Sequence, residues 1–479
     1  MNCKILNIKN EITKILTFPN LLKVTIIIII LSLNFIRTAS IKAQTNDSLE
    51  KIELPKRTDS INNNVSIEKK YWTTMAEVLG TNAIVWVWSQ SNDHTGVYKI
   101  GFNSIRRNFE EGFTWDDDGF LGNQFLHPYH GAAYYTAARA NGFDFWEAAP
   151  YAVMGSLTWE FLMEDQRPSY NDIVNTPITG IILGEMSFRV AHLIIDNSLT
   201  GFDRVIRETA ALIISPMNGF NRLIRGEMWS IKSNSEKEQS KLTFMTGVNL
   251  FNTFSENRNN FGVFGVQMDY GNKYSVENHL KPFDYFNFST EFNIASSDLI
   301  FAIFASGVIW DDSFKMLSKS GVIGIYKEID LISSIIYNFT ATSITGQFIS
   351  KDKVTEYLTL ESSLAISAIL IGGTNSEYSI EEKLNYNIGP GAGCKIGLNI
   401  NIDSSIQILT HFRRYWLHTL SGPKSDEFIG ITKIGIGYFI FSNFQLGSEL
   451  LFYDRYGIYD IYPDINISNT SIRVFLKIF

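Results

Sequence analysis

The chain has 479 residues, of which 45% are hydrophobic, 14% aromatic and 19% charged. A disordered protein would carry more charge and fewer aromatic residues, so this composition excludes one. The 41 Lys and Arg residues are outnumbered by 49 Asp and Glu residues, which argues against a general nucleic-acid binder. Two cysteines, Cys3 and Cys394, cannot form a disulfide framework.

The N-terminus has the pattern of an export signal. Four lysines precede a short, mostly apolar run from Val24 to Ile36, and Ala43 stands just before a polar stretch. A membrane-spanning helix needs about 20 apolar residues, so this run is too short for one. The pattern predicts a cleaved signal peptide that spans residues 1–43. A retained anchor helix is the alternative. Residues 44–70 are rich in polar side chains, which predicts a flexible periplasmic leader.

From residue 71 to residue 231 the apolar side chains recur at helical spacing. Pro in a first helical turn and capping boxes mark several helix starts. Helices are predicted at Tyr71–Trp88, from His127-Pro128, from Asp144 with Glu147, from Ser169 with Asp172, near 201–213 and near 217–226. The glycines and acidic residues between 101 and 118 predict a loop. Pro150 and Pro177 are expected to kink or restart their helices.

From Lys241 to Phe479 the hydrophobic period changes to two. Phe286–Ile294 and Phe444–Phe452 alternate apolar and polar side chains, which places one set on each face of a strand. Loops are predicted at 311–320, 372–382 and 421–427, and Gly389–Gly393 predicts a strand bend. The runs are long enough to cross a bilayer as tilted strands. We therefore predict an α+β chain, a helical domain (71–231) followed by an antiparallel transmembrane β-barrel of about 10–12 strands (241–479).

A soluble sandwich would also alternate, but three features favour a membrane barrel. The runs are long, aromatic residues such as Tyr415 and Trp416 lie near predicted strand ends, and the last alternating segment ends at Phe479. A terminal aromatic of this kind resembles the signal recognised by the barrel-assembly machinery. Expected partners are this machinery and outer-membrane lipid. Arg473 and Lys477 share a face with Phe479, so either they snorkel towards the lipid interface or Phe479 points into the lumen.

The segment that begins HPYHGAAYY at His127 contains further distinctive residues. These are two Trp-Glu pairs, the turn Pro-Ser-Tyr-Asn-Asp and a Gly-Glu pair that ends at Glu185. The segment resembles an uncharacterised envelope family of Gram-negative bacteria, known as domain of unknown function 3943. The resemblance extends over roughly residues 100–200, and its motif spans 126–196. The resemblance implies an exported protein. It provides no known activity that could be transferred to this chain.

The same segment carries charged side chains on otherwise apolar helices, where an unpaired charge is costly. The candidate catalytic residues are His127, His130, Glu160, Glu164 and Arg189. Pairs three or four residues apart share a helix face. Two His and two Glu could bind a metal ion, or a His with a Glu could act as a general base. Metal and cofactor content stay open.

Structural roles are the alternative for most of these residues. Arg189 could form a helix ion pair with Glu185, His127 could cap its helix, and Asp172 could serve a capping box. Gly180 and Gly184 predict close helix packing rather than a ligand cleft.

Three further polar residues lie near a strand end, namely His411, His418 and Ser421. Outer-membrane lipid hydrolases use Ser and His at a barrel rim, but the spacing here matches no known arrangement. We interpret His418 and Ser421 as polar loop residues.

Three functions fit this sequence. The leading hypothesis is an outer-membrane barrel with a structural or transport role, whose helical domain lies in the periplasm or plugs the barrel. The second is an enzyme that modifies envelope lipid or cell-wall material through the His and Glu side chains. The third is a pore for small solutes, which requires an open lumen.

Overall fold

A computed structural model describes residues 68–92, 96–115, 122–233, 237–251, 260–274, 281–294, 300–316, 319–378, 386–403 and 405–479. The predicted signal peptide (1–43), most of the leader (44–70) and Asp116–Asp118 lie outside the described residues. Within them, seven α-helices precede twelve strands. The change of hydrophobic period therefore predicted the fold class correctly.

The helices have the following bounds: α1 (Tyr71–Asn92), α2 (Phe102–Glu111), α3 (His127–Ala140, preceded by a π-helical turn at Gly122–Leu126), α4 (Phe145–Leu162), α5 (Tyr170–Ile194), α6 (Gly201–Ile214) and α7 (Pro216–Ile224). Helix α2 lies where a loop was predicted. That prediction was wrong because Gly101 and Gly112 flank a helix, with Gly112 just past its end at a φ of 66°.

The predicted helix starts are present. Asp144 and Glu147 form a capping box, in which the Glu147 N–H donates to Asp144 Oδ1 at 2.9 Å. Ser169 Oγ accepts the N–H of Asp172 at 3.1 Å. Pro150 and Pro177 lie inside α4 and α5, and neither restarts its helix. Packing against neighbouring helices compensates for a single missing hydrogen bond. No described helix is both long enough and apolar enough to traverse a membrane.

The strands form a closed antiparallel barrel in which β1 pairs with β12. Their bounds are β1 (Ser240–Phe251), β2 (Phe261–Tyr270), β3 (Phe286–Ile294), β4 (Ile300–Met316), β5 (Lys319–Ser333), β6 (Asn338–Lys353), β7 (Leu358–Asn375), β8 (Tyr386–Ile402), β9 (Ile406–His418), β10 (Ser425–Phe441), β11 (Phe444–Tyr459) and β12 (Ile465–Ile478).

Two details of the strand prediction have different outcomes. The prediction of a loop at 311–320 is wrong. The pairing of β4 with β3 ends at Gly307, but β4 and β5 continue to pair with each other beyond it. The predicted bend at Gly389–Gly393 is confirmed, since the register between β7 and β8 shifts opposite it. A Cβ on Gly391 would overlap the carbonyl oxygen of Trp416 on β9.

Contacts across the barrel identify its inner face. Lys433 Nζ on β10 lies 3.2 Å from Glu291 Oε1 on β3, and these strands are not neighbours. The contact therefore crosses the interior. Asp330 on β5 pairs with Lys395 on β8, which is not a neighbouring strand either, so Asp330 also faces the interior. Side chains alternate between the two faces of a strand, so the adjacent Ile329 faces outwards.

The helical bundle (α1–α7) packs against the outer face of the barrel. Thr179 Oγ1 on α5 lies 2.8 Å from Thr342 Oγ1 on β6. Ile329 and Phe286, both outward-facing, are buried in one apolar cluster with Ile182 and other bundle residues. The predicted barrel plug is therefore wrong for the described helices, since they contact the outside of the wall.

Candidate functional site

Three helix ends meet in the bundle and bring together three ligand-type side chains. His127 opens α3, Glu160 lies in the last turn of α4, and Asp172 lies in the first turn of α5. One ligand atom from each residue lies within 4.8 Å of the other two. Glu160 and Asp172 are each 2% exposed, and His127 is partly buried. We call these three residues the three-helix cluster.

Close contact between α3 and α5 positions two members of the three-helix cluster. A Cβ on Gly180 would lie 2.5 Å from the carbonyl carbon of Gly131, so only glycine fits this crossing. His127 lies one turn before Gly131, and Asp172 lies two turns before Gly180. The predicted tight packing of the small residues is confirmed, and it brings the two helix starts together.

A short turn between α4 and α5 positions the third member. Glu160 Oε2 accepts the backbone N–H of Ser169 at 2.8 Å. Ser169 also caps α5 through Asp172, and its hydroxyl donates to Asn171 Oδ1 at 2.8 Å. One serine therefore fixes the Glu160 carboxylate against the start of the next helix.

The three-helix cluster concentrates negative charge in a buried place. Burial raises the pKa of Glu160, and the nearby carboxylates of Glu164 and Asp172 raise it further. The imidazole of His127 and the hydrogen bond from Ser169 act in the opposite direction. A proton or a cation would relieve the repulsion between these carboxylates.

Glu164 and His130 lie next to the three-helix cluster but have other contacts. Glu164 Oε1 accepts the indole N–H of Trp159 at 2.6 Å. His130 Nε2 lies 3.0 Å from the Tyr134 hydroxyl, and its ring meets Trp159 edge-on at 5.0 Å. Burial lowers the pKa of His130 to about 3, helped by His127. The His130 ring is therefore neutral and packed among aromatic side chains.

Arg189 lies elsewhere in the bundle, in an ion-pair group around Glu185. Arg189 Nε and Arg139 Nε each lie 2.7 Å from a Glu185 oxygen. Arg189 also pairs with Asp284 at 3.1 Å, in the connection between β2 and β3. The predicted helix ion pair is confirmed, and Arg189 is not brought to the candidate site.

Asp172 is the site residue that the sequence reasoning missed. Its position suggested only a capping role. The available signal was the short turn between α4 and α5, because two consecutive antiparallel helices place the last turn of one beside the first turn of the next. Glu160 and Asp172 are related in this way.

The barrel lumen is lined by a second set of buried charges, which we call the lumen network. Its ion pairs include Arg473 Nη2 to Glu291 Oε2 at 2.7 Å and Lys395 Nζ to Asp330 Oδ2 at 2.5 Å. The full set is Glu291, Glu328, Asp330, Lys395, Arg413, Lys433, Glu449, Arg473 and Lys477. Arg473 and Lys477 therefore face the lumen, which answers the orientation question left by the sequence.

Apolar and aromatic side chains pack together in another part of the lumen. Tyr337, Phe339, Tyr415 and Tyr453 are all buried in one cluster, and the Tyr337 hydroxyl donates to the Gly430 carbonyl across the barrel at 2.8 Å. Beside the lumen network a cavity of about 190 Å³ remains.

Within the part of the chain that the structure describes, the three polar residues singled out near a strand end have different surroundings. His411 lines the lumen cavity. His418 ends β9 and lies 3.0 Å from Asp426, so it belongs to a strand rather than a loop. The Ser421 carbonyl accepts the Ile388 N–H at 2.9 Å.

The candidate site falls inside a recognised sequence domain. Residues 112–217 match the family model DUF3943, a domain of unknown function. The DUF3943 domain includes α3, α4 and α5, and therefore all three residues of the three-helix cluster. No curated protein matches this chain.

Solved outer-membrane proteins are similar to part of the chain. The KdgM porin shares 9% identity over 50% of this chain and 98% of its own, with a TM-score of 0.24. The NanC porin shares 8% over 50% and 100%, with a TM-score of 0.27. The Pseudomonas putida toluene transporter TodX shares 8% over 51% and 89%, with a TM-score of 0.22. At these values the likeness carries no conclusion about function.

Proposed function

We propose that this chain is an outer-membrane protein whose barrel anchors the DUF3943 domain at the bilayer. The observation that carries the proposal is a closed barrel with buried charges inside and exposed apolar side chains outside. The exposed outward residues on β8–β12 and β1 include Ile396, Trp416, Phe428, Ile434, Ile436, Leu446, Phe452, Ile472, Val474 and Val248. A surface of this kind is unusual in water and is suited to lipid, where a closed barrel satisfies its own backbone.

The helical bundle supports the same placement. It covers part of the outward barrel face, and it exposes many large apolar side chains of its own, among them Trp72, Ile84, Trp88, Phe102, Phe202, Ile213, Trp229 and Ile231. In this proposal the exposed face of the bundle contacts lipid, with its indole rings at the interface.

The side chains inside the barrel favour an anchor over a pore. The lumen network and the aromatic cluster around Tyr337 extend into the barrel interior among the described residues. A cavity of about 190 Å³ remains beside the lumen network, and in this proposal it does not continue as a water-filled path across the membrane.

The proposal is tested by fractionation, conductance and lipid quenching. The chain should be recovered from outer membranes with heat-modifiable migration, and it should give no stepwise conductance in a planar bilayer. Brominated lipid should quench tryptophan fluorescence, and Trp72→Phe should reduce the quenchable fraction. Trp159, which is 4% exposed, provides the matched Trp159→Phe control, which should not reduce that fraction and should raise it slightly, because it removes an unquenched tryptophan. A mature protein found only in the soluble fraction would overturn the proposal.

A second candidate function is an enzyme that acts on envelope lipid. The observation that favours it is the three-helix cluster, where an imidazole and two carboxylates meet beside a surface that we place in lipid. Glu160→Gln separates the two functions. For an enzyme it abolishes turnover and leaves the amount of folded barrel unchanged.

A further inference from the structure

We propose that His127, Glu160 and Asp172 bind one divalent transition-metal ion in the DUF3943 domain. The proposal goes beyond the anchoring function, and it stands even if the barrel proves to conduct. It begins from geometry, since three different helices each contribute one ligand atom to a single point.

The distances suit a metal site that closes slightly on binding. Zinc bonds to nitrogen and oxygen are about 2.0–2.2 Å long, so ligand atoms around one ion lie roughly 3.4 Å apart in tetrahedral geometry. The three atoms are within 4.8 Å of one another. We expect the side chains of His127 and of the two carboxylates to rotate on binding and bring these atoms closer together.

The donor set selects the class of cation. One imidazole nitrogen with two carboxylates suits zinc, manganese or ferrous iron, whereas magnesium and calcium prefer oxygen ligands alone. Three protein ligands also leave coordination positions for water or substrate. His127 is only partly buried, so the site is not sealed from the protein surface.

The surroundings support the carboxylates as ligands. Glu160 Oε2 accepts the Ser169 N–H at 2.8 Å, and Asp172 Oδ2 accepts an amide N–H of Asn171 at 3.4 Å. Ligating carboxylates in metal sites are usually hydrogen-bonded in this way. A dication would also balance the charge of the two ligand carboxylates, which are both buried.

The experiment measures zinc binding by the full chain, extracted in detergent and stripped with chelator. Wild-type protein should bind one zinc ion per chain and gain thermal stability, because zinc binds the folded state. Asp172→Asn and Glu160→Gln should each weaken zinc binding at least about tenfold and remove the zinc-dependent rise in Tm. Both substitutions keep the shape of the side chain, so the variants should remain folded and heat-modifiable.

Control variants separate this site from adventitious binding. His418→Ala removes an exposed histidine that pairs with Asp426, and it should bind zinc like the wild type, whereas His127→Ala should not. Calcium and magnesium should bind weakly or not at all. Unchanged zinc affinity in both Asp172→Asn and His127→Ala would overturn the proposal, as would a loss of binding in His418→Ala alone. Failure to fractionate with membranes would contradict the anchor but would leave this result standing.

Discussion

Thr179 on α5 and Thr342 on β6 face each other with their hydroxyl oxygens 2.8 Å apart, and this contact joins the helical bundle to the outer wall of the barrel. Asn175 Oδ1 accepts from Thr179 at 2.7 Å and lies 3.5 Å from the Thr342 hydroxyl. The junction is buried and polar, although it lies on a face that is apolar elsewhere.

Breaking this junction should loosen the bundle. Thr179→Val and Thr342→Val are each expected to lower the free energy of unfolding by about 1–2 kcal/mol, because each removes the hydrogen bond between the two buried hydroxyl groups and places a methyl group against the remaining one. The double variant should lose less than the sum, since both partners are then apolar. Urea unfolding of the four proteins measures the coupling, and strictly additive losses would show that the two side chains do not interact.

Glu185 should be among the most sensitive positions in the bundle. It is fully buried and pairs with Arg139 and Arg189, so Glu185→Gln removes the negative charge that the two guanidinium groups share, and Arg189 keeps only its pair with Asp284. We expect a loss of about 3–5 kcal/mol in unfolding free energy. Glu110→Gln is the matched control, because Glu110 is exposed, and it should change stability by less than about 0.5 kcal/mol. Similar losses in both variants would contradict the role of the buried group.

The ion-pair group around Glu185 should also make the stability of the bundle depend on pH. Burial alone would raise the pKa of Glu185, but Arg139 and Arg189 hold it below its usual value. Tyr135 also donates to Glu185 at 2.8 Å, and His192 lies within its electrostatic influence. A carboxyl with a lowered folded-state pKa stabilises above its unfolded pKa, and this contribution is lost as pH falls through the folded pKa. The free energy of unfolding of the bundle should therefore fall as pH drops through the folded-state pKa of Glu185, and Glu185→Gln should remove this part of the pH dependence in urea unfolding measured at several pH values.

The sequence predicted the parts of this molecule that depend on local spacing. The strand alternation in Phe286–Ile294 and the cap at Asp144 both follow from residues close together in the chain. The role of Arg189 depends partly on Asp284, 95 residues away, which spacing along one helix cannot reveal.

The placement of the bundle was also beyond local reasoning. Ile329 and Thr342 face outwards on their strands and are covered by helices. Outward-facing residues of a membrane barrel are expected to meet lipid, and an apolar residue such as Ile329 suits a lipid chain and a helix equally. The strand alternation therefore predicted correctly which residues face outwards. It could not predict that helices, rather than lipid, cover some of them.

The glycine contact between α3 and α5 should control the geometry of the three-helix cluster. In Gly180→Ala the new methyl group would press on the Gly131 backbone, so the helices must separate. We expect lower stability, by about 1–3 kcal/mol, together with weaker zinc binding. Gly80→Ala on α1 is the control, since nothing lies within 4 Å of its Cβ position. It should leave zinc binding unchanged and stabilise the helix by up to about 1 kcal/mol. If Gly180→Ala binds zinc as well as the wild type does, the glycine contact does not control the geometry of the three-helix cluster.

The lumen network should behave as mutually dependent charge pairs. Arg473 is fully buried and lies 2.7 Å from Glu291 and 3.4 Å from Glu449. Arg473→Gln should cost about 3–5 kcal/mol, because it leaves buried carboxylates short of positive charge. Adding Glu291→Gln should recover part of this loss, since the double variant restores the balance of charge. Arg106 on α2, whose pair with Glu110 is exposed, supplies the control Arg106→Gln, with little expected change. Urea midpoints of the heat-modifiable barrel measure all four proteins. A double variant less stable than Arg473→Gln alone would mean that Glu291 stabilises the lumen through contacts other than this ion pair.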